Sequence, residues 1–362
     1  MHLSLFLRRT VVFLVVVWIA TAGLVVKLRY EHRHPRQPSG GIVSREQLKP
    51  LHHLRHPEGA FPRDERSRRL KFAAEMHSMQ VECRDPLIIR IPDHGMGVDL
   101  SHVARRVLQA FTEDRSYRIF ATTTDGWHYA RGVCVASDLT CFFEDTTWPC
   151  VDVWPPPPST RGDGNRTVQP TVDDVMWYLT RPLPHVRKAI EKQMSSVGVD
   201  VDIPTAAVHV RRSDIVLNKG WDQKGNKSAP SLFRYIPLEE YLTDARAARV
   251  LESRRVQQLL LMTDDASVIE EVDGSARALV HWRDKWHWID RKRFRGAEGG
   301  WENHFPADSH FDEVVTILAL RELVAQCVVW IGTQSSFARF LRQRKPFEVV
   351  NLDSHERSHL PA

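Results

Sequence analysis

Charge of one sign is in short supply in this 362-residue sequence: 50 Lys and Arg stand against 45 Asp and Glu, a formal net charge of +5. Much of the basic excess lies near the start, in Arg8, Arg9, Lys27, Arg29, Arg33, Arg36 and the run at 63–71. That distribution does not make a nucleic-acid-binding face, and no nucleic-acid partner is expected. Cysteine is also scarce, five in all, and no two form a Cys-x-x-Cys pair. This argues against a structural zinc site, which is usually built from such pairs. What is present is the composition of an ordinary globular protein, 42% hydrophobic and 26% charged. At roughly 150 residues per domain, the length has room for about two.

Residues 10–26 form an uncharged apolar run flanked by Arg8–Arg9 and by Lys27 and Arg29. The run is near the lower limit of about 17 residues for a spanning helix. Its continuation through Leu24, Val25 and Val26 predicts an uncleaved signal anchor, with 1–9 as a cytoplasmic tail and the bulk of the chain in the secretory lumen. Ala20-Thr21-Ala22 supplies the alternative, cleavage near Ala22 followed by secretion. Asn165-Arg166-Thr167 and Asn226-Lys227-Ser228 are glycosylation acceptors by sequence, in keeping with that compartment. Cys83, Cys134, Cys141 and Cys150 cluster in one segment and allow three pairings. Cys134 with Cys141 in a short loop and Cys83 with Cys150 in a long one is preferred, which leaves Cys327 as a buried free thiol.

Residues 27–69 are rich in Pro, His, Arg and Gly with little apolar periodicity, and read as a stem or linker. Globular patterning starts at Leu70. A strand at 87–91 leads into Pro92-Asp93-His94-Gly95-Met96-Gly97. Leu100, Val103, Val107, Leu108 and Phe111 then recur at helical spacing, and a strand follows at 117–122, which completes a βαβ unit. Gly95 and Gly97 leave backbone room for a ligand at the helix start, although most such loops only turn the chain. Trp127 and Tyr129 carry amphipathic rings that either stack on a sugar or cover a core edge. The prolines at 155–158 cannot continue regular structure and read as a link. Helices at 172–179 and 186–197 follow. Strand 206–210, helix 237–252, strands 259–263 and 278–282, helix 311–326, strand 327–332, a helix after Ser336 and strand 347–352 come next. Their alternation argues a mostly parallel sheet with both faces covered.

Three of these strand ends carry polar clusters. Residues 205–214, Thr-Ala-Ala-Val-His-Val-Arg-Arg-Ser-Asp, read as a buried strand that stops in two guanidiniums and Asp214. Ligands of open α/β sheets bind at the carboxyl ends of strands, and guanidinium forks suit diphosphate oxygens. The plainer alternative is a solvated basic turn or an Arg–Asp helix cap. Asp264–Asp265 ends the next strand. Thr333-Gln334-Ser335-Ser336 is a hydroxyl-rich helix start whose N–H groups can hold an anion, where Ser335 taken singly is a cap. Residues 215–235 should form a loop over that site.

The chain carries His209-Val210-Arg211-Arg212-Ser213-Asp214, Ile236-Pro237-Leu238-Glu239-Glu240-Tyr241, Thr263-Asp264-Asp265 and Gly332-Thr333-Gln334-Ser335-Ser336. Gly95-Met96-Gly97, Trp127-His128-Tyr129 and the helix at 175–182 stand upstream. Together these resemble the α1,6-fucosyltransferases, the N-glycan core enzymes and their rhizobial Nod-factor relatives, and more loosely the protein O-fucosyltransferases. The resemblance implies an α/β, GT-B-like fold of two Rossmann-like lobes: an acceptor-side lobe at 70–164, linking helices at 165–204 and a nucleotide-sugar lobe at 205–362. It implies inverting transfer of fucose from GDP-fucose to a glycan, α1,6 on N-glycans of a glycoprotein, with no cofactor and no metal. The implied location is the Golgi membrane, single-pass and type II.

By the same resemblance, Arg212 holds the donor diphosphate with Arg211 beside it, and His209 lies near the guanine. Asp214, Asp264 and Asp265 contact the donor, Thr333, Ser335 and Ser336 its phosphates, and Gly95 and Gly97 complete the donor cleft. Trp127 and Tyr129 fall on the acceptor side. Two departures stand out. The animal enzymes place a candidate base, Glu, shortly after the Arg-Arg pair; here Ser231 and Leu232 occupy that region, and Asp222 is the one carboxylate of the loop and the candidate base. A guanine-contacting Asp of the relatives falls at Leu320. The missing Glu keeps a silent glycan-binding protein open as an alternative, as does another nucleotide-sugar transferase on the same fold. Asp200-Val201-Asp202 has the spacing of a metal-dependent transferase but precedes a strand instead of following one.

Overall fold

The computed structural model describes residues 63–83, 85–146, 168–212, 236–274, 277–295, 304–306, 309–332, 335–342 and 348–352. Two parallel sheets and the helices packed on them make a mixed α/β architecture.

The first helix, α1 (Arg63–Glu82), begins inside the stretch expected to be a stem. Its buried stripe is Arg69, Phe72, Ala73, Met76, Met79 and Gln80. That is helical spacing, but it starts and ends in polar residues, so apolar periodicity does not announce it. What buries Arg69 is Asp174, which accepts its Nε at 3.1 Å and that of Arg68 at 2.9 Å.

Strands β1 (Leu87–Ile91) and β2 (Tyr117–Ala121) pair in parallel, Leu87 opposite Tyr117 and Ile91 opposite Ala121. Helix α2 (Met96–Thr112) connects them and buries Leu100, Val103, Ala104, Val107 and Phe111. Helix α3 (Val172–Leu179) opens with a capping box between Thr171 and Asp174. Helix α4 (Pro184–Val197) starts on Pro184 and stops at Gly198, whose φ of 73° is open to glycine without a Cβ penalty.

The larger sheet is entirely parallel: β3 (Thr205–Val210), β4 (Gln258–Thr263), β5 (Trp286–His287), β6 (Val329–Gly332) and β7 (Glu348–Asn351), in the order β5-β4-β3-β6-β7. Its central strands are apolar and buried along their length, as a sheet covered on both faces requires. Helices α5 (Leu238–Thr243), α6 (Ala245–Ser253), α7 (Ala266–Val272), α8 (Arg277–Val280), α9 (His310–Val324) and α10 (Ser336–Arg342) lie between these strands.

Several expectations need correction. The helix expected at 237–252 is two, because Asp244 caps a new start by accepting from the Arg246 and Ala247 N–H groups at 3.0 and 3.2 Å. The strand expected at 278–282 begins as helix α8; a helical turn lets Leu279 and Trp282, three apart, face the same core. The Golgi type II membrane assignment is overturned: among the described residues no helix is long and apolar enough to cross a membrane. The 20-residue α1 has the length, but its face is charged, and hydrocarbon about 30 Å thick accepts mainly apolar residues. The expected anchor at 10–26, Asn165 and Asn226 lie outside the described residues. Cys134 and Cys141 are disulfide-bonded and Cys327 is a buried free thiol. Cys83 is disulfide-bonded as well, and Cys150 lies outside the described residues.

Candidate active site at the carboxyl edge

Because the larger sheet is all parallel, its strands end along one edge. The strand order reverses between β3 and β6, with β4 and β5 to one side and β7 to the other. A crevice for ligands forms at such a switch point, outside the carboxyl ends. His209 and Gly332 face each other there. The His209 ring is buried, with the Trp330 ring centroid at 5.3 Å and that of Phe337 at 6.1 Å. A Cβ on Gly332 would lie 2.8 Å from the His209 carbonyl oxygen and 3.0 Å from its Cβ. The two strands approach this closely only because position 332 has no side chain.

The two guanidiniums that follow β3 go different ways. Arg211 is half-buried at the edge. Arg212 turns inward and is 2% exposed. Its Nε and Nη2 donate to the Ile236 carbonyl at 3.2 and 2.8 Å. Its fork also grips Glu271 on α7: Nη2 donates to Oε2 at 3.0 Å and Nη1 to Oε1. Glu271 accepts in addition from the Leu238 N–H at 2.9 Å. Arg212 therefore ties the end of β3 to the start of α5 and the end of α7, and the fork expected on a diphosphate holds a protein carboxylate. Glu271 belongs to no motif, so sequence reasoning missed it.

The other expected donor contacts are placed as follows. Asp264 is half-buried beside β4. Asp265 is buried and caps α7, accepting from the Ser267 N–H at 2.8 Å. Ser335 caps α10, accepting from the Ala338 N–H at 2.9 Å. Asp214, Asp222 and Thr333 lie outside the described residues, as does the side chain of Ser336. Leu320 is buried in α9.

Gly95 precedes α2 in extended conformation, and Gly97 is buried in its first turn. Trp127 and Tyr129, expected to meet an acceptor, are instead core residues that brace this loop. Trp127 is fully buried and donates Nε1–H to Asp99 at 2.8 Å; the Tyr129 hydroxyl accepts from the Met96 N–H at 2.9 Å. Neither ring is open for stacking on a sugar, because the strand-end core needs both.

The residue between them behaves differently. His128 sits in a turn with its Nδ1 2.6 Å from Asp93 Oδ1, and that oxygen also accepts from the His128 N–H at 2.9 Å. Arg131 Nη2 lies 3.3 Å from Asp93 Oδ2. Burial works to raise the Asp93 carboxyl, but the hydrogen bonds from His128 and the charges of His128 and Arg131 outweigh it and hold it below the ordinary carboxylate range. Burial pushes the neighbouring Asp99 up, against hydrogen bonds from Trp127 and His94. Asp93, Asp99 and His128 bring one ligand atom each within 4.8 Å of one another, as a metal site would. Yet both Asp99 oxygens accept from N–H donors, and Arg131 abuts Asp93. That set is satisfied by hydrogen bonds and already carries a cation.

The elements that flank the two sheets meet near this point. Helix α2 packs on α10, and the turn at His128 packs on α9. Phe305 joins them, its ring centroid 4.7 Å from Tyr129, 5.7 Å from His128 and 5.1 Å from His310.

No protein-family model matches the chain, and no curated protein matches it. Among solved structures it is similar to the fucosyltransferase NodZ from Bradyrhizobium at 13% identity and a TM-score of 0.42, over 75% of this chain and 97% of that one. It is similar to NodZ alpha-1,6-fucosyltransferase soaked with GDP-fucose at 14% and 0.41, over 74% and 96% of the two chains. POFUT1 in complex with GDP is more distant, at 10% and 0.29, over 51% and 52%.

Proposed function

We propose that the chain is an inverting, metal-independent glycosyltransferase that moves fucose from GDP-fucose to a glycan hydroxyl, α1,6 on N-glycans. The observation that carries this is the switch point, where His209, Arg211 and Gly332 converge on the edge at which five parallel strands end. The motif resemblance supplies the donor. His209, buried beside Trp330 and Phe337, is fixed in place at the end of β3, where the resemblance puts it near the guanine. Arg211, at the edge, is the guanidinium suited to the charge that develops on the departing diphosphate. Arg212 supports the site from below by pinning the end of β3 through Glu271.

Calorimetry and turnover across a panel of nucleotide sugars test this. GDP-fucose should bind and release GDP, and chelators should leave the rate unchanged. Arg211→Ala should lower the rate by about 10²-fold or more, the usual effect of losing one preorganised donor to a developing oxyanion. A protein that neither binds nor hydrolyses GDP-fucose refutes the proposal. Measurable transfer removes the alternative of a silent glycan-binding protein.

A further inference from the structure

We infer that His128, oriented by Asp93, is the general base that takes the proton of the acceptor hydroxyl. The inference rests on the transferase reading above, and it fills the place left by the Glu that does not follow Arg211–Arg212. Its ground is the tautomer. Nδ1 of His128 faces a carboxylate oxygen at 2.6 Å, and a carboxylate only accepts. Nδ1 therefore carries the hydrogen, and the lone pair of the neutral ring is on Nε2. The same Asp93 oxygen accepts the His128 backbone N–H, so ring and main chain are held by one group. An imidazole aimed by a carboxylate through Nδ1 is the arrangement that lets a histidine abstract a proton and have the resulting imidazolium stabilised.

The surroundings suit the task. His128 is 24% exposed and Asp93 16%, so the pair is largely shielded from water while still reachable. Ionisable groups facing the pair are Asp99, Arg131, His94 and His310. Burial, with the charge of Arg131, pushes the His310 ring below its ordinary value. Asp93 belongs to the Gly loop at the start of α2 and His128 to the turn after β2; α2 packs on α10, the helix that follows β6 out of the switch point, and the turn packs on α9.

The step balances. The acceptor O–H hydrogen passes to Nε2 of His128, and the freed oxygen pair forms the bond to fucose C1. The bond from C1 to the phosphate oxygen breaks, and its electron pair leaves on GDP. The imidazolium then returns its proton to water, with Asp93 ionised throughout.

The test uses the purified chain, with GDP-fucose as donor and diacetylchitobiose or a biantennary N-glycopeptide as acceptor. His128→Ala, His128→Gln and Asp93→Asn are compared for GDP binding, for GDP release with and without acceptor, and for the pH profile of kcat. The His128 variants should bind GDP with unchanged Kd, lose about 10²-fold or more in kcat, and lose the acid limb of the profile. Asp93→Asn should lower kcat and displace that limb while leaving the donor KM unchanged. Wild-type kcat with an intact acid limb in His128→Ala overturns the base while leaving the transferase reading standing. Loss of GDP binding in both His128 variants also overturns it, since the role would then be in the fold or the donor site. A wild-type protein that neither binds nor turns over GDP-fucose overturns the transferase reading, and the base with it.

Discussion

Replacing Glu271 by Ala separates a structural role for Arg212 from a direct role on the donor. The pair is buried on one side, Arg212 being 2% exposed and Glu271 28%. Removing one partner of a buried ion pair costs about 3–5 kcal/mol. Two features of the site reduce that. Glu271 is partly wet, and the Ile236 carbonyl continues to accept from Arg212 at 2.8 and 3.2 Å, so about 2–3 kcal/mol is expected from the pair itself. The Leu238 N–H loses its acceptor at 2.9 Å, which adds about 1 kcal/mol. Glu271→Ala should therefore lose about 3–4 kcal/mol in all, measured as a shift of the urea midpoint at constant m-value. Glu271→Gln keeps the shape and part of the hydrogen bonding and should lose less. In a double-mutant cycle with Arg212→Ala, the coupling should exceed about 1 kcal/mol. A Glu271→Ala protein within about 0.5 kcal/mol of wild type, the range of ordinary surface changes, would refute the view that Arg212 pins the end of β3.

Gly332→Ala forces a Cβ to within 2.8 Å of the His209 carbonyl oxygen, so β3 and β6 must part; about 1–3 kcal/mol of stability and a weaker GDP titration should follow. Asp174→Ala strips Arg68 and Arg69 of their shared carboxylate, and should loosen α1 so that limited proteolysis cuts within 63–82 while stability falls by about 3–5 kcal/mol. For Asp174, burial works upward but the hydrogen bonds from Arg68, Thr171 and Arg69 outweigh it and depress the carboxyl. Its contribution is therefore present above the unfolded value of about 3.9 and is lost as pH falls through the depressed folded value. Acid titration of Asp174→Asn should lack that component. Replacing Cys134 and Cys141 by Ser opens a loop with a sequence separation of 7 and should cost about 2 kcal/mol by chain entropy, read from the same urea titration.

Where the structure agrees with the expectations, the signal was local. The buried strands at 205–210 and 258–263 announce themselves as short apolar runs, and α2 as a helical stripe, because burial of neighbouring residues leaves a period in the sequence. The strand ends were legible as a group for the same reason: a buried run that stops in Arg211–Arg212 or Asp264–Asp265 marks its own terminus. What those termini do was not legible. Arg212 reads as a diphosphate clamp until Glu271, 59 residues away, is folded onto it. The first turns of α1, 63–69, read as a stem until Asp174, 105 residues beyond Arg69, neutralises the buried Arg69. His128 lies between two rings expected at a sugar, and only the fold buries those rings and sets it against Asp93, 35 residues earlier. Hydrophobic burial acts on the pattern of nearest neighbours along a strand or helix, so the sequence by itself determines where the elements form. A buried charge needs a partner of opposite sign at hydrogen-bond distance, and only the tertiary structure decides which one it meets.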